Sequence, residues 1–185
     1  MDSPWPQLLK VHTIAFDFDG VFTDNGVSVD ENGRETVRCN RGDGLGIALL
    51  RRWKERHHPA LEIFILSTEE NPVVAARAKK MRIDYHQNIR DKLHWMSQHL
   101  EGRGEEASGI FDGLVYLGND INDLSLMKRS GFSVAPNDAH PRTKNQASVV
   151  LKTNGGHGFV REFVEKILRL DSFTEGEIDE LVSYR

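Results

Sequence analysis

Three short apolar runs, each cut off by small or polar residues, constrain this chain more than any other feature of its sequence. Residues 11–16 stop at Asp17, residues 61–66 stop at Ser67, and residues 114–117 stop at Gly118-Asn119-Asp120. All three are rich in β-branched or aromatic residues and have no polar side, as expected of strands buried on both faces of a parallel sheet. Helical patterns lie between them. Residues 44–55 carry Leu45, Ile47, Ala48, Leu49 and Trp53, and residues 71–81 open with Pro72 at a first helical position. Residues 91–100 and 122–130 follow, the latter with Gly131 placed to cap its end, and residues 160–170 form a last amphipathic helix. Strand alternating with helix predicts an α/β fold, a Rossmann-like three-layer sandwich with a mainly parallel sheet. Short strands at residues 85–86, 133–134 and 149–150 complete it.

One segment breaks this rhythm. Residues 26–29, then Asp30-Glu31-Asn32-Gly33, then residues 34–38 read as a β-hairpin, because Asn-Gly between alternating residues is a strong turn signal. No repeat, low-complexity tract or linker interrupts the chain, so residues 1–185 are expected to form one domain, with a hairpin flap at 26–38. Residues 102–109 read as a loop, and residues 171–185 as a polar tail, partly disordered.

Composition excludes several classes. A net charge of -4 argues against a general nucleic-acid binder, which would be basic. Cys39 is the single cysteine, so no internal disulfide can form, and a reducing compartment, the cytoplasm, is expected. Residues 1–10 lack the apolar core of a signal peptide, and no stretch has the apolar length of a membrane span.

The strand ends carry the chemistry. In open parallel sheets ligands bind at the carboxyl ends of strands, so Asp17, Asp19, Ser67, Asn119 and Asp120 should converge on one crevice. Two acids at i and i+2 just past a buried strand are costly unless a cation joins them. A hard divalent ion with oxygen ligands would do so, and magnesium would also orient an incoming phosphate. One carboxylate could then attack phosphorus while the other handles the proton.

The segment Asp17-Phe18-Asp19-Gly20-Val21-Phe22-Thr23-Asp24 resembles the first signature of the haloacid dehalogenase superfamily, and the others follow in order. Ser67 matches the hydroxyl residue that holds the phosphoryl group. Lys92 matches the lysine that balances charge, and Gly118-Asn119-Asp120-Ile121-Asn122-Asp123 matches the signature supplying the last metal ligands. The resemblance implies Asp17 as nucleophile, Asp19 as acid–base residue, and magnesium held by Asp17, Asp19 and some of Asn119, Asp120 and Asp123. Asn119 stands where the family often has aspartate; an amide oxygen still coordinates, more weakly. Asn122 and Asp123 can equally serve as a helix N-cap and a first-turn acid.

Only a hairpin separates the first signature from the Arg41-Gly42-Asp43-Gly44 turn, so the chain resembles the capless branch of the family. That branch includes phosphatases of octulosonate 8-phosphate and of nine-carbon keto-acid 9-phosphates, typically tetramers whose neighbours shape each site. The resemblance implies a small phosphorylated sugar acid as substrate, a homotetramer, and no nucleic-acid or membrane partner. Thr68, Glu69, Arg77, Lys80 and Arg41 are then the candidate substrate-binding residues. Glu69 could accept sugar hydroxyls, with Arg77 and Lys80 holding a carboxylate directly or across a subunit boundary. Equally, Glu69 could complement a helix start while the two cations lie on a solvated face. The competing class is a non-catalytic oligomerisation domain of the kind associated with sialic acid activation; Asp17, Asp19, Ser67 and Lys92 together favour an enzyme.

Overall fold

Six parallel strands in the order β5-β4-β1-β6-β7-β8 form the central sheet. They are β1 (Thr13–Phe16), β4 (Glu62–Leu66), β5 (Asp84–His86), β6 (Leu114–Leu117), β7 (Phe132–Ala135) and β8 (Val149–Val150). The computed structural model describes residues 5–102 and 109–183. The loop expected at residues 102–109 therefore lies almost wholly outside the described residues. The three apolar runs are the three central strands, and every residue of β1 and β6 is buried.

Alternation along those strands divides the core. Ile14, Phe16, Ile63, Ile65, Val115 and Leu117 face one layer. It holds α1 (Arg41–His57), α2 (Val73–Met81), α6 (Phe159–Leu168) and Leu181 of α7 (Glu175–Val182). Ala15, Phe64, Leu66, Leu114 and Tyr116 face the other. There α3 (Lys92–Glu101) and α4 (Leu124–Arg129) contribute Met96, Leu100, Leu126 and Met127, and α5 (Pro141–Gln146) packs beside α4 and β7. Burial of both sheet faces is the reason the strands read as unbroken apolar runs. Among the described residues no helix is long and apolar enough to cross a membrane.

The hairpin is β2 (Thr23–Val29) paired antiparallel with β3 (Glu35–Cys39). Its turn is held by Asp30, whose Oδ1 accepts from Asn32 N at 2.9 Å and Arg34 N at 2.8 Å, while Gly33 takes φ +76°. Val27 and Val29 are 55% and 59% exposed. No further element lies between β1 and α1, so no cap domain is evident.

Several helix ends differ from the sequence reading. α1 begins at Arg41, because Asn40 Oδ1 caps it by accepting from Gly42 N at 2.7 Å. The Arg41-Gly42-Asp43-Gly44 segment is thus a first helical turn, hidden in the sequence by glycine's poor helix propensity. Pro72 is the residue before α2, not its first. Gly131 does not cap α4, which ends in an extended Ser130. It is small for space, since a Cβ there would sit 2.0 Å from the Asp112 carbonyl oxygen. The expected disorder of the tail is not seen over residues 175–182. A capping box between Thr174 and Glu177 starts α7, Leu181 is buried, and Arg52 and Arg56 of α1 donate to the carbonyls of Leu181, Val182 and Glu180.

Candidate active site

β1 pairs with β4 and β6 in level register, Phe16 opposite Ile65 and Leu117, so the residues just beyond these three strands lie side by side. Asp17 N continues the ladder by donating to Leu117 O at 2.8 Å. Asp17, Ser67 and Asn119 are each nearly buried at these ends.

Lys92 organises the centre. It is the first residue of α3, whose N-cap is Asp91, and it is 2% exposed. Its Nζ lies 2.8 Å from Asp17 Oδ1, 2.7 Å from Asp123 Oδ1 and 3.1 Å from the Tyr116 hydroxyl. Burial opposes the charge on Lys92, but Asp17 and Asp123 more than offset it and hold its pKa above the ordinary lysine range. Two buried carboxylates share one ammonium, leaving one negative charge in excess. Burial, and then Asp123, accordingly push Asp17 up to about 7 against the pull of Lys92. Asp17 Oδ1 also accepts from Phe18 N at 2.8 Å, so that oxygen is pinned by two donors.

Asp123 is fully occupied. Its Oδ1 accepts from Lys92 and from Tyr116 Oη at 2.6 Å, and its Oδ2 from Asn119 N at 2.9 Å and Asp120 N at 3.3 Å. Each of its oxygens already has two protein donors. It fixes the loop that carries Asn119 and Asp120 instead of reaching outward. Asp120, not Asn122, is the N-cap of the following 3-10 turn, with its Oδ1 accepting from Ile121 N at 2.7 Å.

Asp19 is half-buried and sits in the turn after β1, accepting from Thr23 Oγ1 at 3.2 Å. Burial raises its pKa, opposed by the Thr23 hydrogen bond and assisted by Glu69 and, less, by Glu35. Gly20 follows at φ +72°, and a Cβ on it would lie 1.8 Å from Asn119 Nδ2, so the first and last signature loops touch only because this residue is glycine. The loop at residues 154–158 closes over the same turn, with Gly156 N donating to Val21 O at 3.1 Å.

The outer candidates are less gathered. Ser67 Oγ accepts from Glu69 N at 3.0 Å, and Glu69 Oε1 accepts from the backbone of Glu70 and Asn71, so Glu69 braces the entry to α2. Thr68 is half-buried beside it. Asn71 Nδ2 donates to Glu35 Oε2 at 3.0 Å and ties the hairpin to this entry. Arg77 is half-buried and donates to Asn40 O at 2.8 Å, at the junction of β3 and α1. Lys80 is exposed on the last turn of α2, the end directed away from the crevice, about 10 Å along the axis from Val73. Arg41 is exposed at the start of α1. A groove of about 670 Å³ runs along edge strand β5 between Phe64, Lys79, Tyr85 and His99, and none of the candidate residues lines it.

Sequence reasoning missed Tyr116 and Asp43. Tyr116 sits inside an apolar run, where an aromatic reads as core; a hydroxyl buried in a strand next to a charged cluster is the signal that could have flagged it. Asp43 is fully buried and accepts from Arg161 N at 2.9 Å; burial pushes it up to about 6.

The oxygen donors at the strand ends suit a hard divalent ion. Among the described residues no three acidic, histidine or cysteine side chains form a ready cage. An ion there would therefore be shared between carboxylates, an amide oxygen, backbone and substrate, and the excess negative charge around Lys92 is what such an ion would neutralise.

A family model for haloacid dehalogenase-like hydrolases matches residues 111–163, which include the β6 end and Asp123. A solved structure from Streptomyces avermitilis, described as a HAD family hydrolase, superimposes with a TM-score of 0.81 at 39% identity, covering 94% of this chain and 95% of that one. The chain belongs to the haloacid dehalogenase superfamily. The 3-deoxy-D-manno-octulosonate 8-phosphate phosphatase of Escherichia coli K12 is 29% identical over 172 residues, 92% of this chain and 84% of that protein. The enzyme of the same name from Moraxella catarrhalis, solved with magnesium, phosphate and KDO, superimposes with a TM-score of 0.77 at 26% identity over 88% of each chain. Within the superfamily the chain resembles this capless branch, its one described insertion between β1 and α1 being the β2–β3 hairpin.

Proposed function

We propose that this protein is a magnesium-dependent phosphatase that hydrolyses a small sugar phosphate, a keto-deoxy sugar acid phosphate of the octulosonate or nine-carbon type, through a phospho-aspartyl intermediate on Asp17. The activity class, a phosphoric monoester hydrolase, follows from the family and its curated relatives. The observation that carries the mechanism is the Asp17–Lys92–Asp123 cluster at the meeting point of β1, β4 and β6.

Lys92 and Phe18 N hold Asp17 Oδ1, which orients the carboxylate so that Oδ2 is presented for in-line attack on phosphorus. The Ser67 hydroxyl, at the end of the strand beside Asp17, receives a phosphoryl oxygen, while Lys92 at the start of α3 balances the charge through Asp17. Asp19, whose carboxyl is raised by burial, gives a proton to the leaving sugar oxygen and later takes one from the water that cleaves the aspartyl phosphate. Asp17, the Asp19 backbone carbonyl, Asn119 and Asp120 would hold magnesium, which would supply charge neutralisation of the phosphoryl group. Asp123 acts behind these ligands by fixing Lys92 and the Asn119–Asp120 backbone.

Glu69 and the hairpin residue Glu35 meet at Asn71, at the entry to α2 beside Ser67, which places the hairpin next to the leaving-group side. Arg77 is engaged by Asn40 O and Lys80 is exposed at the far end of α2, so a carboxylate-binding role for them is assigned across a subunit boundary in a homotetramer. A panel of sugar phosphates with magnesium tests the function. Phosphate should be released, keto-acid phosphates should be preferred, and a chelator should abolish turnover. Failure of every phosphate ester in saturating magnesium would leave the non-catalytic role in its place.

A further inference from the structure

We propose that Tyr116 is a positioning residue of this site, its hydroxyl fixing the Lys92 ammonium on Asp17; this rests on the phosphatase reading above. The contacts are directional. Lys92 Nζ donates to the Tyr116 hydroxyl at 3.1 Å, and that hydroxyl donates in turn to Asp123 Oδ1 at 2.6 Å. An ammonium has three protons, and the three oxygens around it, on Asp17, Asp123 and Tyr116, account for all of them. Lys92 is therefore held from three directions, and only one of the three partners is neutral.

That neutrality matters. A third carboxylate would deepen the excess of negative charge around Asp17. A phenylalanine would leave one ammonium proton with no acceptor in a site where Lys92 is 2% exposed and Tyr116 fully buried. An unmet proton there is costly enough to turn the ammonium elsewhere. The hydroxyl satisfies the ammonium without adding charge, and its own proton pins Asp123 Oδ1. Burial first, then Asp123, push the Tyr116 hydroxyl well above the usual tyrosine range, so it stays protonated and able to donate. Tyr116 lies behind Lys92 and Asp123, and its role is carried through them.

Tyr116→Phe keeps the ring in the β6 core and removes one oxygen. We expect kcat to fall about 10- to 100-fold, as for loss of other supporting hydrogen bonds behind a charged centre, with KM changing less than about twofold. In a Lys92→Met background the same change should cost markedly less, because most of its effect passes through the ammonium. Unchanged kcat in Tyr116→Phe, or equal losses in both backgrounds, would overturn the proposal. A second arm does not depend on turnover. In ¹⁵N-labelled protein the buried Lys92 ammonium should give a slowly exchanging signal with a cross-peak to the Tyr116 hydroxyl proton. The signal should vanish in Tyr116→Phe, and its persistence would overturn the proposal. If the variant fails to fold, the wild-type cross-peak decides, and its absence refutes the contact. If the wild type hydrolyses no ester, the phosphatase reading falls, and the spectroscopic arm alone judges Tyr116.

Discussion

Replacing Asp17 by asparagine should abolish turnover and yet stabilise the metal-free protein. The site buries Asp17 and sets it with Asp123 against one Lys92, and burial first, then the Asp123 charge, push Asp17 up to about 7. From 3.8 when unfolded to about 7 when folded, the native state binds a proton that the unfolded chain does not. Stability therefore falls as pH rises through this window and levels off above it. Once both forms are ionised the folded state has lost about 4 kcal/mol at most. An asparagine removes the charge while its amide oxygen still accepts from Lys92 and Phe18 N. Desolvating the carboxamide gives some of this back, leaving about 2 kcal/mol of net gain, or about 4–8 °C in Tm for a chain of this size. Thermal unfolding in chelator at pH 8 should show that gain, with a smaller one at pH 5. Magnesium should then raise the wild-type Tm more than the variant's. With a sugar phosphate substrate, kcat should drop at least about 10³-fold. A variant less stable than wild type in chelator at pH 8, or a gain of equal size at pH 5, would refute the charge-surplus reasoning. A folded variant with near-normal turnover would refute the nucleophile.

Asp19→Asn should lower kcat about 10²- to 10⁴-fold while metal affinity by calorimetry changes little, because the backbone carbonyl is the expected ligand; collapse of metal binding with normal turnover in saturating metal would reverse the assignment. Val27 and Val29, exposed on the hairpin, should be covered by a symmetry mate, so light scattering should report a homotetramer and Val27→Ser with Val29→Ser should shift it toward smaller species. A fully active wild-type monomer would exclude this. Gly155→Ala would place a Cβ 2.0 Å from the Gly20 carbonyl oxygen, so Tm should fall by an amount matching about 1–3 kcal/mol and kcat should fall with it as the Asp17–Thr23 turn is displaced. An unchanged Tm and kcat would show that the 154–158 loop yields freely.

The sequence by itself determined the architecture and the centre of the candidate site. Burial of β1, β4 and β6 on both faces makes them predominantly apolar, so the runs announce the sheet, and each ends where the backbone meets the crevice. Asp17, Ser67 and Asn119 were readable for that reason, and Lys92 through the order of the motifs. Tertiary structure alone decided how the charges are shared. Asp123 has the same sequence standing as Asp120, but four protein donors occupy it, and Tyr116 became part of the site only when α3 laid Lys92 against the middle of β6. Arg77 and Lys80 share one helix with similar spacing from Glu69, yet one turns in to Asn40 and the other faces solvent at the far end. A helix fixes its residues along its axis, and what each meets depends on the neighbouring elements: β3 and α1 lie against Arg77, and solvent lies beside Lys80. Local patterning encodes burial because burial is a property of a strand or a helix face. Partner choice among polar groups depends on which elements the fold brings together, and short-range patterns do not carry that information.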